Sequence, residues 1–221
     1  MMGKRRKMVD FDPRYTEIVF FDTESYVPPD QRVSKGSMIY NPAKIDHFFL
    51  GGVFCRQFPL QGKTEEPQHI WSWEKEGEKE TLRKIYEYFT QSWKMLEGKT
   101  DENPDLILCG IGISRHDVPA LYVRSVLRHI AKEEELYETY FKTKMVDLSN
   151  VGIALFKNNQ ALYPKTANAL IARLRISSQK ASGKTVWDLY DAGEYDAIKS
   201  RTAAEVADLM EMASRIVAGR F

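Results

Sequence analysis

Two cysteines in 221 residues are too few for a disulfide framework. Cys55 and Cys109 each sit inside an apolar run, GGVFCRQF and LILCGIG, where reduced, buried thiols are usually found. A reducing compartment, the cytoplasm, is the expectation. No apolar stretch reaches the roughly 18 residues of a membrane-spanning helix, and the basic start MMGKRRKM has no apolar segment behind it. Neither a membrane span nor a secretory signal is therefore expected. Net charge is also nearly missing: 32 Lys and Arg stand against 31 Asp and Glu. This excludes a global positive field drawing the chain to nucleic acid or membrane, so any such binding must rest on local patches. Internal repeats and low-complexity segments are missing too, which excludes a solenoid or a compositional linker.

What is present is a chain with 43% hydrophobic residues, enough to build the core of one large domain. We expect a flexible basic N-terminus at residues 1–14, solvated or in weak contact with phosphate, and a domain over 15–221. EIVFFDT (residues 17–23) reads as a strand, since β-branched and aromatic residues run together before the breaker VPPD. A second apolar run, HFFLGGVFCRQF, contains Gly51 and Gly52, which mark a bulge or a strand pressed against other backbone. QHIWSW completes an antiparallel meander of three strands.

Between Glu78 and Leu96 the period changes. Leu82, Ile85, Tyr86, Phe89, Trp93 and Leu96 recur at helical spacing. LILCGIG, almost uniformly apolar, is a strand covered on both faces. SRHDVPALYVRSVLRHIAKEEELYETYF reads as a loop and a helix with Pro119 in its first turn, and TKMVDL as a short strand. The last third is mostly helical, ending in a helix from about Tyr195 to Val217. Strands first, then helices alternating with two more strands, predict an α/β fold with a mixed five-stranded sheet flanked by helices.

Acids at the end of an apolar strand require an explanation, because a buried unpaired carboxylate is costly. In FFDTE, Asp22 and Glu24 close the first strand, and period-two alternation turns both to one side. Two such carboxylates are half of a site for a hard divalent cation such as Mg²⁺ or Mn²⁺. Asp117, just past the second buried strand, is either a further ligand or a helix cap.

FDTE, then GIGISRHDVPAL, then the C-terminal IKSRTAAEVADL resemble the three-motif layout of the DEDD superfamily of 3′–5′ exonucleases. The branch they resemble is that of the proofreading domains of family-B DNA polymerases, and the likeness spans about residues 17 to 212. It implies an RNase H-like fold and metal-dependent hydrolysis at the 3′ end of single-stranded nucleic acid, DNA ahead of RNA, by two Mg²⁺ or Mn²⁺ ions. Asp22 and Glu24 match the first motif, Asp117 the second and Glu205 the third. By that resemblance Asp22 bridges both ions, Glu24 and Glu205 hold the ion that activates water, and Asp117 supports the ion at the leaving 3′-oxygen. Thr23, Ser114, His116 and Arg201 become candidate substrate contacts. Less specific candidates are Tyr26, Tyr40, Phe156, Tyr163, Lys165 and Arg173.

The chain departs from the pattern at Ser114 and His116, where the family commonly has Asn and Phe, and at Arg201 and Glu205, where its tyrosine branch reads Tyr-x-x-x-Asp. Tyr190 with Glu194, or Tyr195 alone, offers an alternative source for the missing phenol. Glu205 carries one methylene more than Asp, and misplacement on that scale can cost on the order of 10²-fold in rate. Asp147, at the end of TKMVDL, reads as structural. An active nuclease is therefore weighed against an inactive nucleic-acid-binding or scaffold protein of the same fold. The balanced net charge points to recruitment by a partner such as a polymerase or repair protein.

Overall fold

The apolar run around Phe20 becomes the central strand of a mixed sheet. The computed structural model describes residues 15–32, 40–74, 77–97, 105–156, 163–178 and 183–219; the basic N-terminus lies outside them. Strand β1 (Thr16–Tyr26) pairs antiparallel with β2 (Phe48–Phe58) on one side and parallel with β5 (Asp105–Gly110) on the other. β6 (Lys144–Asp147) adds parallel to β5. The far edge of β2 takes both β3 (Lys63–Thr64) and β4 (Gln68–Trp71), each antiparallel. Among the described residues the sheet thus has six strands rather than five. The addition is the two-residue β3, too short to carry a period in sequence.

Alternation along β1 sorts its side chains onto two helical layers. Val19 and Phe21 join Leu82, Ile85 and Phe89 of α1 (Gly77–Glu97), Leu121 of α2 (Asp117–Leu127) and Tyr140 of α3 (Glu133–Phe141). Phe20, on the other face, joins Leu170 of α5 (Ala167–Leu174), Val186 of α6 (Thr185–Asp191), and Ile198, Val206 and Leu209 of α7 (Tyr195–Val217). A single turn, α4 (Leu148–Val151), follows β6. Each fully buried Phe or Leu contributes roughly 1.5–3 kcal/mol, so the two layers hold the sheet from both sides. Cys55 and Cys109 are buried free thiols, and burial pushes the Cys109 thiol up to about 12, with the Asp147 charge adding to the shift.

The segment read as one helix after LILCGIG is two. At the end of α2, His129 takes a left-handed conformation, φ 52°. Its N–H bonds to Val126 O at 3.1 Å, and that of Ile130 to Ser125 O at 3.0 Å. These two bonds form a Schellman stop. Glycine is the usual marker of such a stop, and its absence here hid the break.

Strand β1 is also longer than EIVFFDT. It continues to Tyr26 because β2 goes on supplying partners, Thr23 opposite Gly52 and Glu24 opposite Gly51. The register then shifts between Glu24 and Ser25, skipping Leu50. Asp22 and Glu24 therefore lie inside the strand, not at its exit. The last β1–β5 pair is Phe20 with Cys109, so on that side β1 outruns its neighbour just before the acids.

Glycine is required where β2 passes those acids. Gly51 has φ 134°, and a Cβ there would meet Ile70 O at 2.1 Å, while one on Gly52 would meet Asp22 O at 2.5 Å. We expect Gly51→Ala to lower unfolding free energy by about 1–3 kcal/mol through backbone strain, with further loss from the clash. Urea denaturation measures it, and an unchanged midpoint would contradict this account of the bulge.

Candidate metal centre

Asp22 and Glu24 share the parity of Phe20, so they face the layer that α7 covers. On α7, Arg201 and Glu205 are four residues apart, one turn on the same face. Thr202, Glu205, Val206 and Leu209 are buried against the sheet. Packing α7 on β1 thereby brings ligand oxygens of Asp22, Glu24 and Glu205 within 4.8 Å of one another. All three residues are more than nine-tenths buried. Such an all-oxygen donor set is chemically suited to a hard divalent cation.

Arg201 lies against this cluster. Its Nη2 is 2.9 Å from Glu205 Oε1 and its Nη1 is 3.5 Å from Glu24 Oε1. The Thr202 hydroxyl donates to Glu24 Oε1 at 3.3 Å and to Ile198 O at 3.0 Å. Two ion pairs and a charge-assisted hydrogen bond thus compensate part of the cost of burying the acids.

Asp117 occupies a different position. Thr23 has the opposite parity to Asp22, and its hydroxyl donates to the Asp117 carboxylate at the first residue of α2. Asp117 does not cap α2; the N-cap is His116, whose side chain makes no capping bond. Asp22, Glu24, Thr23, His116, Asp117 and Arg201 all line one cavity of about 390 Å³. The four candidate acids thus divide into a close triad and a fourth group: Asp22 and Glu24 share this cavity with Asp117, whereas Glu205 lines a smaller pocket that also reaches Asp22. Crevices beyond the carboxyl ends of parallel strands are common ligand sites in α/β sheets, and this one opens where β1 outruns β5.

Ser114 has another task. Its hydroxyl donates to Asp147 Oδ2 at 2.5 Å, and it is not among the residues lining the cavity. Asp147 also accepts from Gly112 N at 2.8 Å, Ser114 N at 3.2 Å and Ser149 N at 3.0 Å. A carboxylate at the end of β6 therefore fixes the loop that delivers His116 and Asp117. Of the alternative phenols, Tyr195 stacks on Trp73 and Tyr190 packs against it at a tilt; neither lines the cavity. Of the less specific aromatic and basic candidates, Tyr40 is at the cavity. Tyr26 donates to Asp191 Oδ1 at 2.6 Å, Arg173 Nε donates to Leu155 O at 3.0 Å, and Lys165 lies 4.8 Å from the Phe156 ring.

The cavity also contains groups that sequence reasoning did not single out: Phe49, Arg115, Lys184 and Trp187. Arg115 was legible as a cation between Ser114 and His116, whereas Lys184 and Trp187 follow Gly183 with no recognisable pattern. Trp187 Nε1 donates to Ser25 O at 2.8 Å, and Arg32 pairs with Asp188 at 3.2 Å and Asp191 at 2.7 Å. Together these contacts fix α6 to the end of β1. Across the cavity, buried Arg124 pairs with Glu78 at 2.5 Å and donates to Pro42 O at 3.1 Å and Lys44 O at 2.8 Å. That anchors the loop carrying Tyr40. Burial lowers the His116 pKa below its ordinary 6.5, reinforced by Arg115, so the imidazole is neutral at pH 7.

No protein-family model matches the chain, and no curated protein matches it either. Among the described residues no helix is long and apolar enough to cross a membrane.

Burial raises the Asp147 pKa, but the bonds from the Ser114 hydroxyl and the three backbone N–H groups outweigh it, leaving the group below its ordinary 3.8. A depressed carboxylate adds stability above its unfolded pKa and loses it as pH falls through the folded value. Asp147→Asn should therefore cost about 1–3 kcal/mol at pH 7. The gap to wild type should narrow below about pH 4. Denaturant titrations across pH check this, and a pH-independent gap would show that the carboxylate charge is not what holds the loop.

Proposed function

We propose that this chain is a metal-dependent 3′–5′ exonuclease of RNase H-like fold, acting on single-stranded nucleic acid, DNA ahead of RNA. The observation that carries the reading is the meeting of Asp22 and Glu24 from the first strand with Glu205 from the last helix, within 4.8 Å. The motif resemblance assigns three of its four metal ligands to these positions and the fourth to Asp117. The sheet gives support: β1 is antiparallel to β2 and parallel to β5, with β6 beyond.

Asp22, Glu24 and Glu205 would hold Mg²⁺ or Mn²⁺, and Asp117 lies along the same cavity for a second ion of the kind the resemblance implies. When bound, such an ion supplies Lewis acidity, making a water nucleophilic near neutral pH and stabilising phosphate charge. The chain's own groups position the substrate. Arg115 and Lys184 offer positive charge to a phosphodiester, while Trp187, Tyr40 and Phe49 offer ring faces for an unpaired base. His116, neutral at pH 7, offers a hydrogen bond rather than a charge. With little net charge of its own, the chain would gain affinity for nucleic acid through a polymerase or repair partner.

One observation favours a second reading, an inactive nucleic-acid-binding or scaffold protein: the Arg201 guanidinium stands on two of the three acids. Incubation of 5′-labelled single-stranded DNA and RNA with Mn²⁺ or Mg²⁺ separates the two. The expected outcome is a metal-dependent ladder from the 3′ end, reduced by more than about 10²-fold in Asp22→Ala. No ladder, or one undiminished by Asp22→Ala, would favour the scaffold.

A further inference from the structure

We infer that Arg201 is a built-in counter-cation of the acidic triad, so that the triad accepts one divalent ion and binds it more weakly than it would without the guanidinium. This rests on the metal reading of the site and deepens it. Three carboxylates whose oxygens lie within 4.8 Å of one another repel strongly in a buried setting. Helix α7 places a positive charge among them without any ion, because Arg201 is one turn from Glu205. The same side chain crosses to Glu24 on β1. It engages Oε1 of both glutamates, and only 13% of the side chain is exposed.

Charge balance sets the stoichiometry. Three carboxylates and one guanidinium leave two negative charges, the complement of a single divalent cation. Asp117, the remaining acid of the motif set, is engaged by the Thr23 hydroxyl. A cation entering the triad meets the guanidinium's repulsion and competes with it for Glu24 and Glu205. The helix is therefore held on β1 in the ion-free protein, and the cost falls on metal affinity. Arg201 is a positioning residue: it acts through the two glutamates.

The test is Mn²⁺ titration of the full chain by calorimetry, with free Mn²⁺ followed by electron paramagnetic resonance. Thermal melts in chelator and in Mn²⁺ accompany it. Without nucleic acid, wild type should bind one ion per chain, because a second ion beside Asp117 needs substrate phosphate to complete its ligands. R201M should bind Mn²⁺ roughly tenfold or more tightly, melt below wild type in chelator, and regain the difference in Mn²⁺. R201K, which keeps the charge, should stay close to wild type in affinity and decides the matter if R201M does not fold. R83M, which removes two surface ion pairs on α1, should change neither affinity nor stoichiometry.

Wild-type affinity and stoichiometry in folded R201M would overturn the inference, as would a tenfold change in R201K. Two ions bound by wild type would also overturn it. The nuclease reading fails separately: tighter Mn²⁺ binding by R201M beside no hydrolysis by wild type leaves the inference standing. If no form binds Mn²⁺, the metal reading falls and takes the inference with it.

Discussion

Three carboxylates buried between the central strand and the last helix are the constraint around which this molecule is arranged. Such a group of like charges is unfavourable unless positive charge or hydrogen bonds compensate it. The fold supplies both from one helical turn, with Arg201 spanning Glu24 and Glu205 and the Thr202 hydroxyl on Glu24. The helix is itself held by apolar contacts of Ile198, Val206 and Leu209 beneath the sheet. Apolar burial provides the holding energy, and the polar groups fix the position at which α7 sits.

The same arrangement explains the cavity. β1 extends past its parallel partner and carries its acids into a space where β5 has already turned away into the loop before α2. That loop is held by Asp147, the opposite wall by Trp187 and the Arg32 pairs, and the front by Arg124 and Glu78. Apart from the bond of Trp187 to Ser25 O, these supports are charge-assisted, the kind whose geometry is most restrictive. The cavity lining combines Arg115 and Lys184 with the rings of Tyr40, Phe49 and Trp187, the two kinds of group that the proposed nucleic-acid substrate would require.

Arg201 gives the proposed chemistry its particular character. A phenol at that position would leave the triad's full negative charge for metal, whereas a guanidinium removes one unit of it. Glu205, longer than Asp by a methylene, nonetheless brings its carboxylate to Asp22 and Glu24. The departure from the motif that matters electrostatically is thus one turn away from the acid.

The sequence by itself determined the longest helices and every strand but β3, because their hydrophobic periods of about 3.6 and two are local properties. α7 over Tyr195–Val217 and the helical repeat of α1 were legible in this way. That Asp22, Glu24 and Glu205 belong together was legible through motif order, which made them a candidate ligand set. Tertiary structure decided the rest. Only pairing with β2 extended β1 beyond its acids, only the left-handed His129 divided α2 from α3, and only packing showed Ser114 bound to Asp147 and Asp117 held by Thr23. Trp187, and with it the start of α6 next to Lys184, reached the cavity through a contact made across more than 150 residues of chain. Periodicity records which face of an element is apolar, whereas a polar contact depends on which distant group the fold places within about 3 Å.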